Sequence, residues 1–157
     1  MDDFIIARAI HVLSVLLWIG GVAFVTLVVM PSIRSGNSAE TRLEAFQQLE
    51  GRFAPQARVW VLLAGGSGFW MLYRGQMWDR FAEPHFWWMH AMLCIWLIFT
   101  AMLFVIEPLF LHKRMKKSSH PASDFRRMVW MHRVLLILSL ATVFGAVAGS
   151  HGFIWLE

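Results

Sequence analysis

Three long stretches of this chain are apolar on every helical face. Residues 9–30, 84–106 and 134–156 contain no Asp, Glu, Lys or Arg, and each exceeds the roughly 20 residues that carry an α-helix across the hydrocarbon core of a bilayer. A fourth run, 59–73, is shorter. Arg58 and Arg74 at its edges can extend it by laying their stems along apolar surface while their charges stay in the headgroup region. The pattern predicts membrane-spanning helices at about 4–30, 56–74, 84–111 and 126–155. The expected fold is an all-α integral membrane protein, one transmembrane domain built as a four-helix up-down bundle. Between the first two spans, "NSAETRLEAFQQLEGRF" offers Asn37 or Ser38 as a helix cap, and Leu43, Phe46, Leu49 and Phe53 recur at helical spacing. An amphipathic segment over about 38–53 follows from that spacing. It either lies on the membrane surface or extends the second helix, and it ends near Gly51 or Pro55.

Composition sharpens the picture. The chain is 58% hydrophobic and 15% charged, with a mean hydropathy of +0.56, whereas a soluble domain has about a quarter of its residues charged. The net charge of +4 is no nucleic-acid signal, because its distribution follows the spans. Eleven of the 14 Lys and Arg residues fall in 31–58 and 112–133; only Arg8, Arg74 and Arg80 lie on the other side. By the positive-inside rule both termini face outward, into the periplasm if the bilayer is a bacterial inner membrane, and the two basic connections are cytoplasmic. The 113–117 cluster is then a topology anchor on anionic lipid. The first span opens with Asp2 and Asp3, runs long and is followed by no A-x-A site, so it is expected to be a permanent helix rather than a secretory signal. Cys94 is the only cysteine, so no intrachain disulfide can form.

The candidate chemistry lies in the histidines. His11 in the first span and His90 in the third each sit about 9–10 Å below the outer surface at 1.5 Å per residue, and His151 lies near that surface too. Ionisable side chains within a bilayer are costly, and they generally face a bundle interior, a cofactor or a pathway. In an up-down bundle the first and third helices are diagonal, roughly 13 Å apart, which suits two imidazoles with a heme iron between them. Paired imidazoles favour electron transfer over oxygen binding. The small residues Ala64, Gly65, Gly66 and Gly68, with Ala141, Gly145, Ala148, Gly149 and Gly152, offer either a porphyrin slot or close helix packing. Arg8, one turn before His11, is placed to meet a propionate. Ser14, Val15 and Trp18 continue the His11 face inward. The nine tryptophans, including Trp78, Trp87, Trp88 and Trp155, mostly read as an outer aromatic belt. A rival site uses softer donors. Met92 and Cys94 beside His90 suit Cu(I), although Met89, His90 and Met92 point different ways on a helix. At the inner end Glu107 is expected to pair with Arg133 or His132.

"IHVLSVLLWIGG" resembles the first-helix pattern of the copper-resistance D-type membrane domain, in which a histidine precedes Trp-x-Gly-Gly. "GRFAPQARVWVLLAGGSGFWML" is similar to that domain's Arg-Phe-x-x-x-Ala lead into an apolar helix ending in small residues. Trp88-Met89-His90-Ala91-Met92-Leu93 resembles the Trp-Leu-His-x-Lys-Leu motif of the related membrane protoporphyrinogen IX oxidases. The resemblance implies heme b on His11, with His90 at the second motif, or copper movement across the inner membrane. Met92 stands where that motif has lysine, which argues against porphyrinogen oxidase activity. The expectation is a heme b protein with His11 and His90 as axial ligands and His151 as substitute. It would transfer electrons between a quinone or other membrane redox partner and an outer acceptor. Copper transport and a non-catalytic membrane subunit of a larger complex are the alternatives. A homo-oligomer is compatible with each, and no nucleic acid is involved.

Overall fold

The computed structural model describes residues 2–36, 38–111 and 120–153. His112, the 113–117 cluster and Trp155 lie outside the described residues. Four long helices account for nearly everything else. Helix 1 (Asp2–Gly36) is unbroken through Pro31. Helix 2 (Ala39–Gly75) runs continuously through Gly51 and Pro55. Helix 3 is α-helical over Trp87–Ala101 and π-helical over Met102–Leu111. Helix 4 is Pro121–Ser150. Short 3-10 turns at Trp78–Ala82 and Pro84–Phe86 join helices 2 and 3. Helices 1, 3 and 4 are long and apolar enough to cross a membrane.

Local chemistry explains the ends. Ser38, with extended backbone, caps helix 2 by accepting the Thr41 N–H at 3.5 Å. The amphipathic segment is therefore the first part of helix 2, with no break at Gly51 or Pro55: Pro55 removes one N–H, and the flanking helix persists. Helix 2 stops at Gln76, which takes the left-handed conformation (φ 49°) while the Met77 N–H reaches back to the Leu72 carbonyl at 3.1 Å. Helix 4 starts at Pro121, five residues earlier than expected, because proline suits a first helical turn.

Both π-helical stretches accompany a proline. Val25–Val29 precedes Pro31, with the Met30 N–H bonded to the Val25 carbonyl, and Met102–Leu111 contains Pro108. Proline deletes an i−4 hydrogen bond and clashes with that carbonyl, and a widened turn relieves the clash.

The helices alternate in direction. Asp3 pairs with Arg74 at 2.6 Å, bringing the start of helix 1 to the end of helix 2. At the opposite, basic end Met30 and Ile33 pack with Leu43, Phe46, Phe125 and Met128. Helix 1 lies along helix 2, helix 3 mainly along helix 4, and helix 4 also touches helices 1 and 2. The middle is filled by Trp18, Val22, Val61, Ile95, Phe99, Leu135 and Leu136, with Trp18 edge-on to Phe99 at 4.9 Å across the diagonal.

The small residues receive indoles. Trp96 lies against Gly65 and donates its Nε1–H to the Val61 carbonyl at 2.9 Å. Trp87 lies on Gly145 and Trp88 on Gly149. Neither a porphyrin slot nor backbone-to-backbone contact describes these positions; a large aromatic knob fills each glycine hole. Trp88, 6% exposed, therefore belongs to the interior rather than to an outer belt, whereas Trp70 and Trp78 are exposed.

A Cβ at Gly65 would stand 2.5 Å from the Trp96 ring, while one at Gly66 would meet nothing within 4 Å. Gly65→Ala is expected to destabilise the bundle by about 1–3 kcal/mol by displacing the indole. Gly66→Ala should leave stability unchanged or slightly raised. Thermal unfolding followed by tryptophan fluorescence in detergent separates the two.

Candidate functional site

His11 stands on the inward stripe of helix 1, in phase with Ala7, Ser14 and Trp18, all buried. Its Nδ1 is 2.8 Å from the Ala64 carbonyl of helix 2. A carbonyl only accepts, so Nδ1 carries the proton, and whenever the ring is neutral its lone pair is at Nε2. The same N–H lies 3.3 Å from Ser67 Oγ, whose own proton goes to the Leu63 carbonyl at 2.5 Å. A Cβ on Gly68 would approach His11 Cε1 to 3.2 Å, so the missing side chain leaves room for the ring. Nε2 has no hydrogen-bond partner among the described residues. Histidines that ligate metals are commonly held this way, one nitrogen fixed by an oxygen and the other left to the metal, and a hydrogen bond that only joins two helices has the same geometry. On the same two helices an open groove of about 440 Å³ is walled by Ile6, Ile10, Leu62, Leu63, Gly66 and Trp70, with Ser67 and Asp3 as its polar residues; His11 is not among its lining residues. Asp3 also lines a separate groove with Phe4, Ile5, Arg74 and Gly75, and its carboxylate holds the Arg74 guanidinium at 2.6 Å.

The other predicted residues are dispersed. His90 is exposed on helix 3, its ring edge-on to Phe81 at 5.2 Å; it turns to the outside of the bundle, not towards His11. Cys94 shares that exposed face, while Met92 is half-buried on another. His151 is exposed just past helix 4, with Nδ1 2.8 Å from the Val147 carbonyl. Arg8 is exposed and places its guanidinium over the Phe4 ring at 4.9 Å. Trp18 is 4% exposed in the core, and its Nε1 is buried without a hydrogen-bond partner. No group of three or more His, Cys, Asp and Glu suited to a metal occurs among the described residues. Ser67 was not anticipated as a partner of His11; its signal was a hydroxyl set among small residues in an apolar run.

At the basic end Glu107, 7% exposed, pairs with neither Arg133 nor His132. Arg133 is exposed, and His132 turns its Nδ1 to its own helix at the Met128 carbonyl, 3.0 Å away. The partner is Arg58, with Nη2 3.2 Å from Glu107 Oε2 and Nε donating to the Leu103 carbonyl at 3.0 Å. Leu103 lies five residues before Pro108. In the π register its carbonyl would accept the Pro108 N–H, which does not exist. Arg58 supplies the missing donor, so it turns inward to helix 3 rather than snorkelling outward.

Comparison of the chain with protein-family models, curated proteins and solved structures finds no match.

Arg58→Leu leaves the buried Glu107 carboxylate without its counter-charge and the Leu103 carbonyl without its donor. With a third of the Arg58 side chain exposed, the expected loss is about 1–3 kcal/mol. The double variant Arg58→Leu/Glu107→Leu should recover part of it, because no uncompensated charge remains. A thermal-unfolding cycle of the two single variants and the double measures that coupling.

Proposed function

We propose that this protein is a four-span inner-membrane bundle with both termini on the outer side, binding one b-type heme through His11. Electron exchange between a quinone or another membrane redox partner and an acceptor at the outer face is its role in this reading. The observation that carries it is the fixed tautomer of His11, with Nδ1–H held by Ala64 and Ser67 and Nε2 unengaged. The donor suits heme iron. The space between helices 1 and 3 does not suit a porphyrin, since Trp18 and Phe99 meet there and Trp88 is buried close by on Gly149. The apolar groove on helices 1 and 2 is the remaining candidate: Ser67, which bonds His11, lines it, but His11 itself does not, so the ring would have to turn to reach a ligand there. Arg8, one turn from His11, is the candidate partner for a propionate. When bound, heme b supplies one-electron oxidation and reduction. Helix 2 fixes the His11 ring through Ala64 and Ser67, and Arg8 would neutralise an acid group on the outer side.

The resemblance of the first helix to the copper-resistance D-type domain supports membership of that superfamily and leaves copper transport as an alternative. A specific observation favours a third reading, in which the chain is a non-catalytic subunit: the His11–Ala64 bond alone ties helix 1 to helix 2 without any ligand.

Reduced-minus-oxidised absorption spectra of the detergent-purified protein test these readings. Heme on His11 predicts sharp α and Soret bands that are lost in His11→Ala and retained in His90→Ala. Loss in both variants would mean paired ligation, with helix 3 turned from the orientation described above. A colourless protein that carries copper would replace heme with transport, and one that carries neither would leave the structural reading.

A further inference from the structure

The outward face of helix 4 carries arginines that have no protein partner. Phe125, Met128, Leu135, Leu136 and Ser139 are buried on one side of the helix. On the opposite side Arg126, Trp130, Arg133, Ile137 and Phe144 fall within a stripe about 60° wide. All five are exposed, Trp130 at 68%, and Arg127 beside the stripe is exposed as well. Among the described residues none of these three arginines has an ion pair or a hydrogen bond. Arg58, at the same end of the bundle, turns inward to Glu107 instead. Asp124 is the one carboxylate of helix 4, and it stands about half a turn round from Arg126. Arg133 immediately precedes the charge-free run 134–156, and helix 4 is long and apolar enough to cross a membrane. The rise from Arg133 to Phe144 is roughly 16 Å, about half the hydrocarbon thickness of a bilayer.

We infer that this face of helix 4 is a docking site for one anionic phospholipid of the surrounding bilayer. Arg133 takes the phosphate through charge-assisted hydrogen bonds, because a helical side chain leans towards the helix N-terminus, here the headgroup side. The Trp130 indole sits at the boundary between headgroup and hydrocarbon. Arg126 and Arg127, one to two turns nearer the water, draw further negative charge to the same place. An acyl chain lies along Ile137 and Phe144. Charge complementarity selects this occupant. A zwitterionic lipid would bring its amine to a face that has no carboxylate, and a water-soluble acidic partner would leave Ile137 and Phe144 uncovered. The site needs no heme. It rests only on helix 4 crossing the bilayer with its first turns among the headgroups.

Native mass spectrometry of the full chain in mild detergent, titrated with phosphatidylglycerol or with phosphatidylcholine, tests the inference. A single phosphatidylglycerol should be retained, and phosphatidylcholine should bind several-fold more weakly. Arg126→Gln/Arg133→Gln should weaken phosphatidylglycerol binding about tenfold. Arg34→Gln/Arg52→Gln, which removes two exposed arginines from helices 1 and 2, should change it by no more than about twofold. All four side chains are exposed, so thermal unfolding without added lipid should match that of the natural chain and separate lost binding from lost fold. Excess inorganic phosphate, at matched ionic strength, should not displace the lipid. The preference of the natural chain between the two lipids decides the matter if a variant is unstable. Equal retention of both lipids, retention of neither, equal losses in the two double variants, or displacement by inorganic phosphate would each overturn the site. None of these outcomes bears on the absorption bands assigned to His11, so the two readings fail separately.

Discussion

Among the described residues, three side chains tie the bundle together by donating to backbone carbonyls on a neighbouring helix. His11 reaches Ala64 from helix 1, Trp96 reaches Val61 from helix 3, and Arg58 reaches from helix 2 to Leu103. Every one of these bonds involves helix 2. Within a bilayer, apolar side chains gain little by leaving lipid for another helix, so contact area alone does not specify which helices meet or at what register. A hydrogen bond to a carbonyl does both. Helix 2 is the one helix without a long charge-free run, and it is the hub onto which the more apolar helices are pinned.

The glycine holes follow from the same requirement. A donor as large as indole can approach a backbone carbonyl only where the facing helix lacks a side chain, and Gly65 stands four residues beyond Val61, where the Trp96 ring passes. Gly68 plays the corresponding part for His11 beneath Ala64 and Ser67. In the primary structure these glycines are indistinguishable from a close-packing stripe or a cofactor slot. The partner that decides between them lies on another helix, dozens of residues away.

Helix number, the Ser38 cap and the inward placement of His11 were legible, because each depends on local pattern. Rotation of the helices was not. Helix 3 is apolar all round, so nothing in 87–101 distinguishes the face of Trp88, Ile95 and Phe99, which is buried, from that of His90 and Cys94, which is exposed. Depth could be counted for His90, but its direction could not. The partner of Glu107 escaped for a different reason. Pro108 announces a freed carbonyl, yet only the π register makes it Leu103, and only tertiary packing brings Arg58 to it.

The two ends of the bundle handle polarity in opposite ways. At the end that carries the termini, His11 is satisfied on one nitrogen and left basic on the other, so the ring is pre-organised to accept a single electron-poor partner. At the basic end the buried Glu107 carboxylate and the Leu103 carbonyl share one guanidinium, that of Arg58. Between the two lies a layer of Trp18, Val61, Ile95, Phe99 and Leu135, in which Trp18 Nε1, Thr100 Oγ1 and Ser139 Oγ are buried without hydrogen-bond partners. Each such atom costs about 1–3 kcal/mol, yet none is ionisable in the physiological range. These atoms thus offer no titratable relay between Glu107 and His11. Helix 2 links the two ends directly, because it carries Arg58, Ala64 and Ser67 along a single axis.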